Sequence, residues 1–152
     1  MIKIKRLDTM ATEYKKELTT LFISIFNSEP WNNHWTKETA QKSLDELIHM
    51  PGFFGLYAYR DSKILGAIMG HVHHYDRQKT YYIDEFFVAN EYKRQGIGKK
   101  LYTQAINELM NEGVAGAFFT TLKNTPAYHF YLEMGAIDLT DSSVMYHPFK
   151  NQ

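Results

Sequence analysis

The stretch from Tyr81 to Met110 constrains the fold most, because it predicts a strand, a glycine turn and a helix in direct succession. An apolar strand pattern ends at Val88, and a polar loop over residues 89–95 follows it. Apolar residues then recur at helical spacing from Ile97 to Met110. A strand that leads through a short turn into an amphipathic helix is typical of helices packed on a central sheet.

The turn itself indicates a binding site for an anion. It reads Lys93-Arg94-Gln95-Gly96-Ile97-Gly98-Lys99-Lys100, with four basic residues in a chain of zero formal net charge. Glycines allow backbone N–H groups to approach a ligand, and a helix N-terminus carries partial positive charge. Neither of two common nucleotide patterns fits, since Lys100 stands where the P-loop needs Ser or Thr and Leu101 where the dinucleotide motif needs glycine. A phosphate or pyrophosphate is the expected ligand.

The rest of the chain predicts strands and helices in the order β-α-α-β-β-β-α-β-α-β, with one or two closing strands, in a single domain over 1–152. Strands are expected near residues 2–7, 53–60, 64–75, 81–88 and 118–122, and in the closing region around Val144 and Tyr146. Helices are expected over 10–26, 36–48, 97–113 and 125–134.

Composition excludes several classes of function. The 152 residues include no cysteine, which excludes disulfides, thiolate metal sites and a cysteine acyl-enzyme. Zero net charge argues against a nucleic-acid partner, and no apolar run is long enough for a membrane span. The N-terminal residues lack the apolar core of a secretory signal, so a cytoplasmic protein is expected.

Two blocks of residues resemble the GNAT superfamily of N-acyltransferases. Residues 93–98, after a strand ending in Val88, resemble the family signature [R/Q]-x-x-G-x-[G/A], with Lys93 at the position usually held by Arg or Gln. A second block is similar to the family's N-x-x-A-x-x-[FL]-Y-x-x-x-G-[FA] pattern and consists of Asn124, Ala127, Phe130, Tyr131, Gly135 and Ala136. The loop Glu29-Pro30-Trp31 and the strand 83–88 resemble the branch that contains aminoglycoside 6′-N-acetyltransferases.

The resemblance implies an α/β (α+β) fold and acetyl-CoA as co-substrate, with no metal. Its central sheet would be mixed, mostly antiparallel, of 6–7 strands, splayed between the fourth and fifth strands and flanked by about four helices. Backbone amides from Gln95 to Lys99 would hold the pyrophosphate, while Asn124 and Tyr131 would lie beside the pantetheine and sulfur. The implied cofactor-binding set is Phe86, Phe87, Val88, Lys93, Arg94, Gln95, Gly96, Ile97, Gly98, Lys99, Asn124 and Tyr131.

Acetyl transfer to an amine has three chemical requirements. The thioester oxygen needs a donor, for which the Val88 N–H is the family-like candidate, and Tyr131 would donate a proton to the thiolate. Glu85 is the preferred base for the ammonium proton, with Asp84 as the alternative, because alternation lets only one of them face the cleft unless a bulge intervenes. His34 is a further candidate base if its loop folds over the cleft. Without cysteine, direct transfer in a ternary complex is expected.

The acceptor is expected to be a small cationic amine. The candidate acceptor-binding residues are Glu29, Trp31, Trp35 and Tyr82. For Trp31 and Trp35, packing of the rings against the core is the alternative. His71 and His73 share a strand face, yet nothing nearby completes a set of metal ligands, and an exposed polar strand or a wall of the acceptor pocket is the alternative. A protein or peptide N-acetyltransferase and a catalytically silent acyl-CoA sensor remain open, and a homodimer is compatible with the family resemblance.

Overall fold

The computed structural model describes residues 1–7 and 12–150. They fall into two compact units, Met1–Phe118 and Phe119–Gln152. The expected single domain over 1–152 therefore stays a prediction. The described part of the chain contains no helix that combines the length and the apolar character needed to cross a bilayer.

The first unit contains one mixed sheet of five strands in the order β1-β2-β3-β4-β5. The strands are β1 (Lys3–Arg6), β2 (Phe53–Arg60), β3 (Lys63–Tyr75), β4 (Gln78–Val88) and β5 (Val114–Phe118). Neighbours from β1 to β4 are antiparallel, and β5 is parallel to β4. This confirms a mixed, mostly antiparallel sheet.

Four helices are described, as expected. They are α1 (Thr12–Phe26), α2 (Lys37–Ile48) and α3 (Ile97–Asn111) in the first unit and α4 (Pro126–Glu133) in the second. Threonine caps explain two of the starts: the Thr36 hydroxyl accepts from the Thr39 N–H, and the Thr125 hydroxyl accepts from the Tyr128 N–H. The predicted start of the first helix at Met10 lies outside the described residues.

The sheet of the first unit is covered on both faces. One face packs against α1 and α2 in a core that includes Leu18, Phe22, Leu44, Met69 and Phe87. The α3 stripe Ile97, Leu101, Ala105 and Leu109, spaced one helical turn apart, is also buried. On the second face, the ring of Tyr102 in α3 stacks on that of Phe86 in β4 at 6.0 Å.

The predicted strand over 118–122 is wrong in position. The strand starts at Val114 instead, because Gly113 adopts a left-handed φ of 82° directly after α3 and turns the chain back at once. The apolar residues that suggested the later strand, Phe118 and Leu122, are 55% and 58% exposed.

The predicted closing strands are also wrong, which is why the sheet has five strands and not 6–7. Residues 119–150 contain no strand, and Val144 and Tyr146 are 81% and 87% exposed. Two alternating apolar residues make a very short pattern, and Pro148, which has no N–H to donate to a ladder, follows them closely.

Candidate active site

The N-terminus of α3 lies where the sequence predicted an anion site. Gly96 caps this helix in a left-handed conformation, φ 80°, and a Cβ added there would meet nothing within 4 Å. Arg94 is left-handed as well, at φ 66°. Within the described chain, no side chain caps this helix and its first turn contains no acidic residue. Its N–H groups and the exposed Lys99 and Lys100 therefore fit a diphosphate.

The preceding strand, β4, extends beyond its parallel neighbour. The pairing with β5 runs only from Lys79 to Tyr82, whereas β3 pairs with β4 as far as Val88. The Ala89 N–H donates to the Leu65 carbonyl of β3 at 2.8 Å. Since successive N–H groups of a strand point to opposite sides, the Val88 N–H points away from β3. Its role as the oxyanion donor stays a prediction.

A β-bulge decides the orientation of the two candidate bases. Glu85 pairs with Met69 and Ile83 pairs with Gly70, so Asp84 is the additional residue of β4. Glu85 therefore shares the face of Met69, the face covered by α1 and α2. Asp84 reaches His71 on that same face, at 2.8 Å between Oδ2 and Nδ1. The bulge thus brings both carboxylates to one face.

The environment of Glu85 alters its acidity. The side chain is half-buried. Burial, and secondarily the negative charge of Asp84, raise the pKa of Glu85 to about 7. A base with a pKa near the working pH is well suited to accept a proton from an ammonium group.

The partner of Asp84 is His71, which the sequence pattern does not predict. The pattern groups His71 with His73, as part of an exposed strand or a wall of the acceptor pocket, whereas in the structure its ring contacts the Asp84 carboxylate and lies 5.7 Å from the ring of Tyr82. The detectable signal was the hairpin from β3 to β4, whose register places His71 opposite Tyr82. Within residues 1–7 and 12–150, no group of three or more His, Asp or Glu side chains could hold a metal ion.

The connection between α1 and α2 carries the other candidate acceptor residues. Trp31 packs on Phe26 at 5.0 Å and Trp35 on Phe22 at 5.1 Å between ring centroids. Both helix residues contact Phe87 of β4. Glu29 and His34 are exposed in the connection. Both Trp rings therefore contact α1, but only Trp35 packs against the core, while Trp31 is 39% exposed; their role in binding an acceptor stays a prediction.

The second unit carries Asn124 and Tyr131. Asn124 precedes α4 with a left-handed φ of 62°. Tyr131, in α4, is half-buried, and its ring lies 4.2 Å from that of Phe119. Their predicted roles beside the pantetheine and sulfur stay predictions.

A family model matches most of the chain. The model described as "Acetyltransferase (GNAT) family" matches residues 14–136, and the chain therefore belongs to this family. This confirms the resemblance read from the two blocks and the predicted class of enzyme, an acetyl-CoA-dependent N-acetyltransferase. A search of the curated proteins gave no match.

Solved structures show the same fold. An aminoglycoside acetyltransferase from an uncultured soil metagenomic sample, in complex with sisomicin, is 24% identical with a TM-score of 0.71, over 99% of this chain and 96% of that one. A possible acetyltransferase from Clostridium difficile 630 is 16% identical with a TM-score of 0.81, over 100% and 99%. AAC(6')-Iy, in complex with a CoA bisubstrate analog of acetylneamine, is 15% identical with a TM-score of 0.76, over 99% of each.

Proposed function

We propose that this chain moves the acetyl group of acetyl-CoA to a primary amine of a small cationic acceptor. The observation that carries the proposal is the bulge in β4, which brings Asp84 and Glu85 to one face. Two neighbouring carboxylates attract an ammonium group and can remove its proton. The α3 N-terminus, which fits a diphosphate, follows the same strand by a short loop.

The chain's contribution to holding acetyl-CoA is mostly backbone. The N–H groups from Gln95 to Lys99 bind the diphosphate, aided by the charges of Lys93 and Arg94. The main chain from Phe86 to Val88 pairs with the pantetheine arm, and Asn124 lies beside it. When bound, acetyl-CoA supplies an acetyl group activated as a thioester.

Three groups of the chain then handle charge and protons. Glu85 accepts the proton of the acceptor ammonium, so that the amine becomes a nucleophile. The Val88 N–H donates to the oxygen on which negative charge develops. The C–N bond to the acceptor then forms and the C–S bond breaks; the Tyr131 hydroxyl donates its proton to the leaving sulfur, and the proton lost from the new amide nitrogen restores that hydroxyl. Since the chain has no cysteine, both substrates are bound together during the transfer.

The acceptor is proposed to be an amino sugar or a similar compact polyamine. Trp31, Trp35 and Tyr82 supply aromatic surface and Glu29 a further carboxylate around the pair on β4. Support also comes from the neighbours: one was crystallised with sisomicin and another with a CoA analog of acetylneamine.

A thiol-release assay tests the proposal. The full chain and acetyl-CoA are incubated with aminoglycosides, polyamines, amino acids and peptides with free N-termini. We expect saturable release with aminoglycosides or polyamines, and a product heavier by one acetyl group. Turnover of the peptides alone would identify a peptide acetyltransferase. Binding of acetyl-CoA without turnover of any amine would identify a sensor. Either result overturns the proposal.

A further inference from the structure

His71 of β3 makes a defined contact with the bulge in β4. Its Nδ1 lies 2.8 Å from Oδ2 of Asp84, and the two side chains are 24% and 26% exposed. His71 pairs directly with Tyr82, and Asp84, two residues further along β4, continues on the same face; the bulge then adds Glu85 to that face. The contact is a hydrogen bond between two partly exposed side chains, in which the imidazole Nδ1–H can donate to the carboxylate.

The imidazole ring is held in place by its neighbours. The ring of Tyr82 lies 5.7 Å away at 33°, and that of His73 lies 5.8 Å away at 34°. In the described part of the chain, the Asp84 carboxylate is the single hydrogen-bond partner of the His71 ring.

We propose that His71 is a positioning residue of the acceptor site, which holds the Asp84 carboxylate through Nδ1 and offsets the negative charge that Asp84 presents to Glu85. Its effect on catalysis rests on the proposed function, whereas its effect on the ionisation of Glu85 does not. No bond forms or breaks at His71 in this role.

The titratable groups on the sheet face of Glu85 can be named element by element. His71 and His73 come from β3, Tyr82 and Asp84 from β4, and Tyr57 from β2. The helices α1 and α2 cover this face with apolar side chains, together with Tyr14 and Glu17 of α1. The titratable residues of the connection between them are Glu29 and His34, both exposed. Asp84 is the charge that raises the pKa of Glu85 in addition to burial.

The direction in which each substitution shifts the pKa of Glu85 follows from that arrangement. In His71→Ala, Asp84 loses its hydrogen-bond partner and repels the ionised Glu85 carboxylate more strongly, so the pKa of Glu85 rises. In Asp84→Asn, the repelling charge is gone, so the pKa of Glu85 falls. His71→Asn is the matched control, because its side-chain amide can donate from the place of Nδ1.

The experiment measures Glu85 in two independent ways. The first is a pH titration of the Glu85 carboxyl carbon by NMR, which needs no turnover. The second is the pH profile of kcat/KM for acetyl transfer, in which the acidic limb reports the base of the free enzyme. Melting temperatures of all three variants establish that they fold.

In His71→Ala we expect the midpoints of both measurements to rise by about half to one pH unit. At about pH 7 this rise corresponds to a two- to fivefold loss of kcat/KM, and the loss disappears at high pH. Asp84→Asn should move them down by about one unit. His71→Asn should stay close to the unmodified protein.

Unmoved midpoints in a folded His71→Ala would overturn the inference. Midpoints that shift in the same direction in His71→Ala and Asp84→Asn would also overturn it. A third contrary result is loss of activity at every pH in His71→Ala with an unchanged Glu85 titration, which would make His71 the base itself. If the unmodified protein acetylates no amine, the proposed function fails, while the NMR titration still decides the coupling between His71, Asp84 and Glu85.

Discussion

Glu85 ionises in two different environments in the folded and unfolded chain. An unfolded Glu titrates near 4.3, whereas burial and the Asp84 charge raise the pKa of folded Glu85 to about 7. The folded state therefore binds this proton more tightly. The stability that comes from the protonated group is complete below the unfolded pKa and is lost as the pH rises through about 7.

This difference predicts a pH-dependent effect of Glu85→Gln on stability. The amide mimics the protonated acid, so we expect equal stability of variant and unmodified protein near pH 4. Above pH 8 the variant should gain up to about 3 kcal/mol. Urea unfolding at both pH values measures it, with the exposed Glu46→Gln as control. A gain of the same size at both pH values would contradict the assignment of the shift to Glu85.

Tyr131→Phe tests the proposed acid. We expect kcat to fall about a hundredfold, with the dissociation constant of acetyl-CoA unchanged, because one hydroxyl is removed and the ring remains. Steady-state kinetics and calorimetric titration measure the two quantities. Tyr128→Phe is the matched control on the same helix: its hydroxyl donates to Asp138 at 2.8 Å, so its loss should affect stability and not kcat. Equal kcat in Tyr131→Phe and the unmodified protein would remove Tyr131 from the mechanism.

At the scale of elements, the start of α3 combines a helix N-terminus with left-handed backbone at Gly96. A β-branched side chain strains this conformation by about 1–2 kcal/mol and places methyl groups where a diphosphate would lie. We expect Gly96→Val combined with Gly98→Val to abolish acetyl-CoA binding in calorimetric titration while the fold persists. Gly113→Val, at φ 82° beyond the other end of α3, is the control for backbone strain. Unchanged binding in the double variant would place the diphosphate elsewhere.

Local signals in the sequence predict the elements that depend on local interactions. Thr36, Gly96 and Thr125 mark helix starts that the structure confirms, because a cap acts within one turn of its own position. The position of β5 depends on its pairing with β4 across the length of α3, which no short pattern encodes. The bulge at Asp84 is not predictable from the sequence either, because it arises from the register between two strands. The sequence therefore predicts both carboxylates as candidate bases but does not predict that they lie on one face.

At the scale of the whole first unit, one aromatic cluster joins α1 to the strand that carries the site. Phe87 lies 5.9 Å from Phe22 and 5.7 Å from Phe26, and all three belong to or pack on the core under α1 and α2. We expect Phe87→Ala to destabilise the fold by about 3–5 kcal/mol, measured by urea unfolding. Phe149→Ala, at an exposed position, should change stability by less than about 0.5 kcal/mol. A small effect at Phe87 would show that the cluster contributes little to holding β4.

The side chain of Asn27 closes the connection between α1 and α2 at its base. Its side-chain amide donates to the Trp35 carbonyl at 2.9 Å and accepts from the Trp35 N–H at 2.8 Å, the same pair of hydrogen bonds that two facing residues of an antiparallel sheet exchange. The residues between these two positions thus form a loop whose ends are tied together. Because the two ends are fixed in this way, changes at the exposed positions between them, such as Glu29 and His34, can alter the surface of the loop while its attachment to the two helices stays the same.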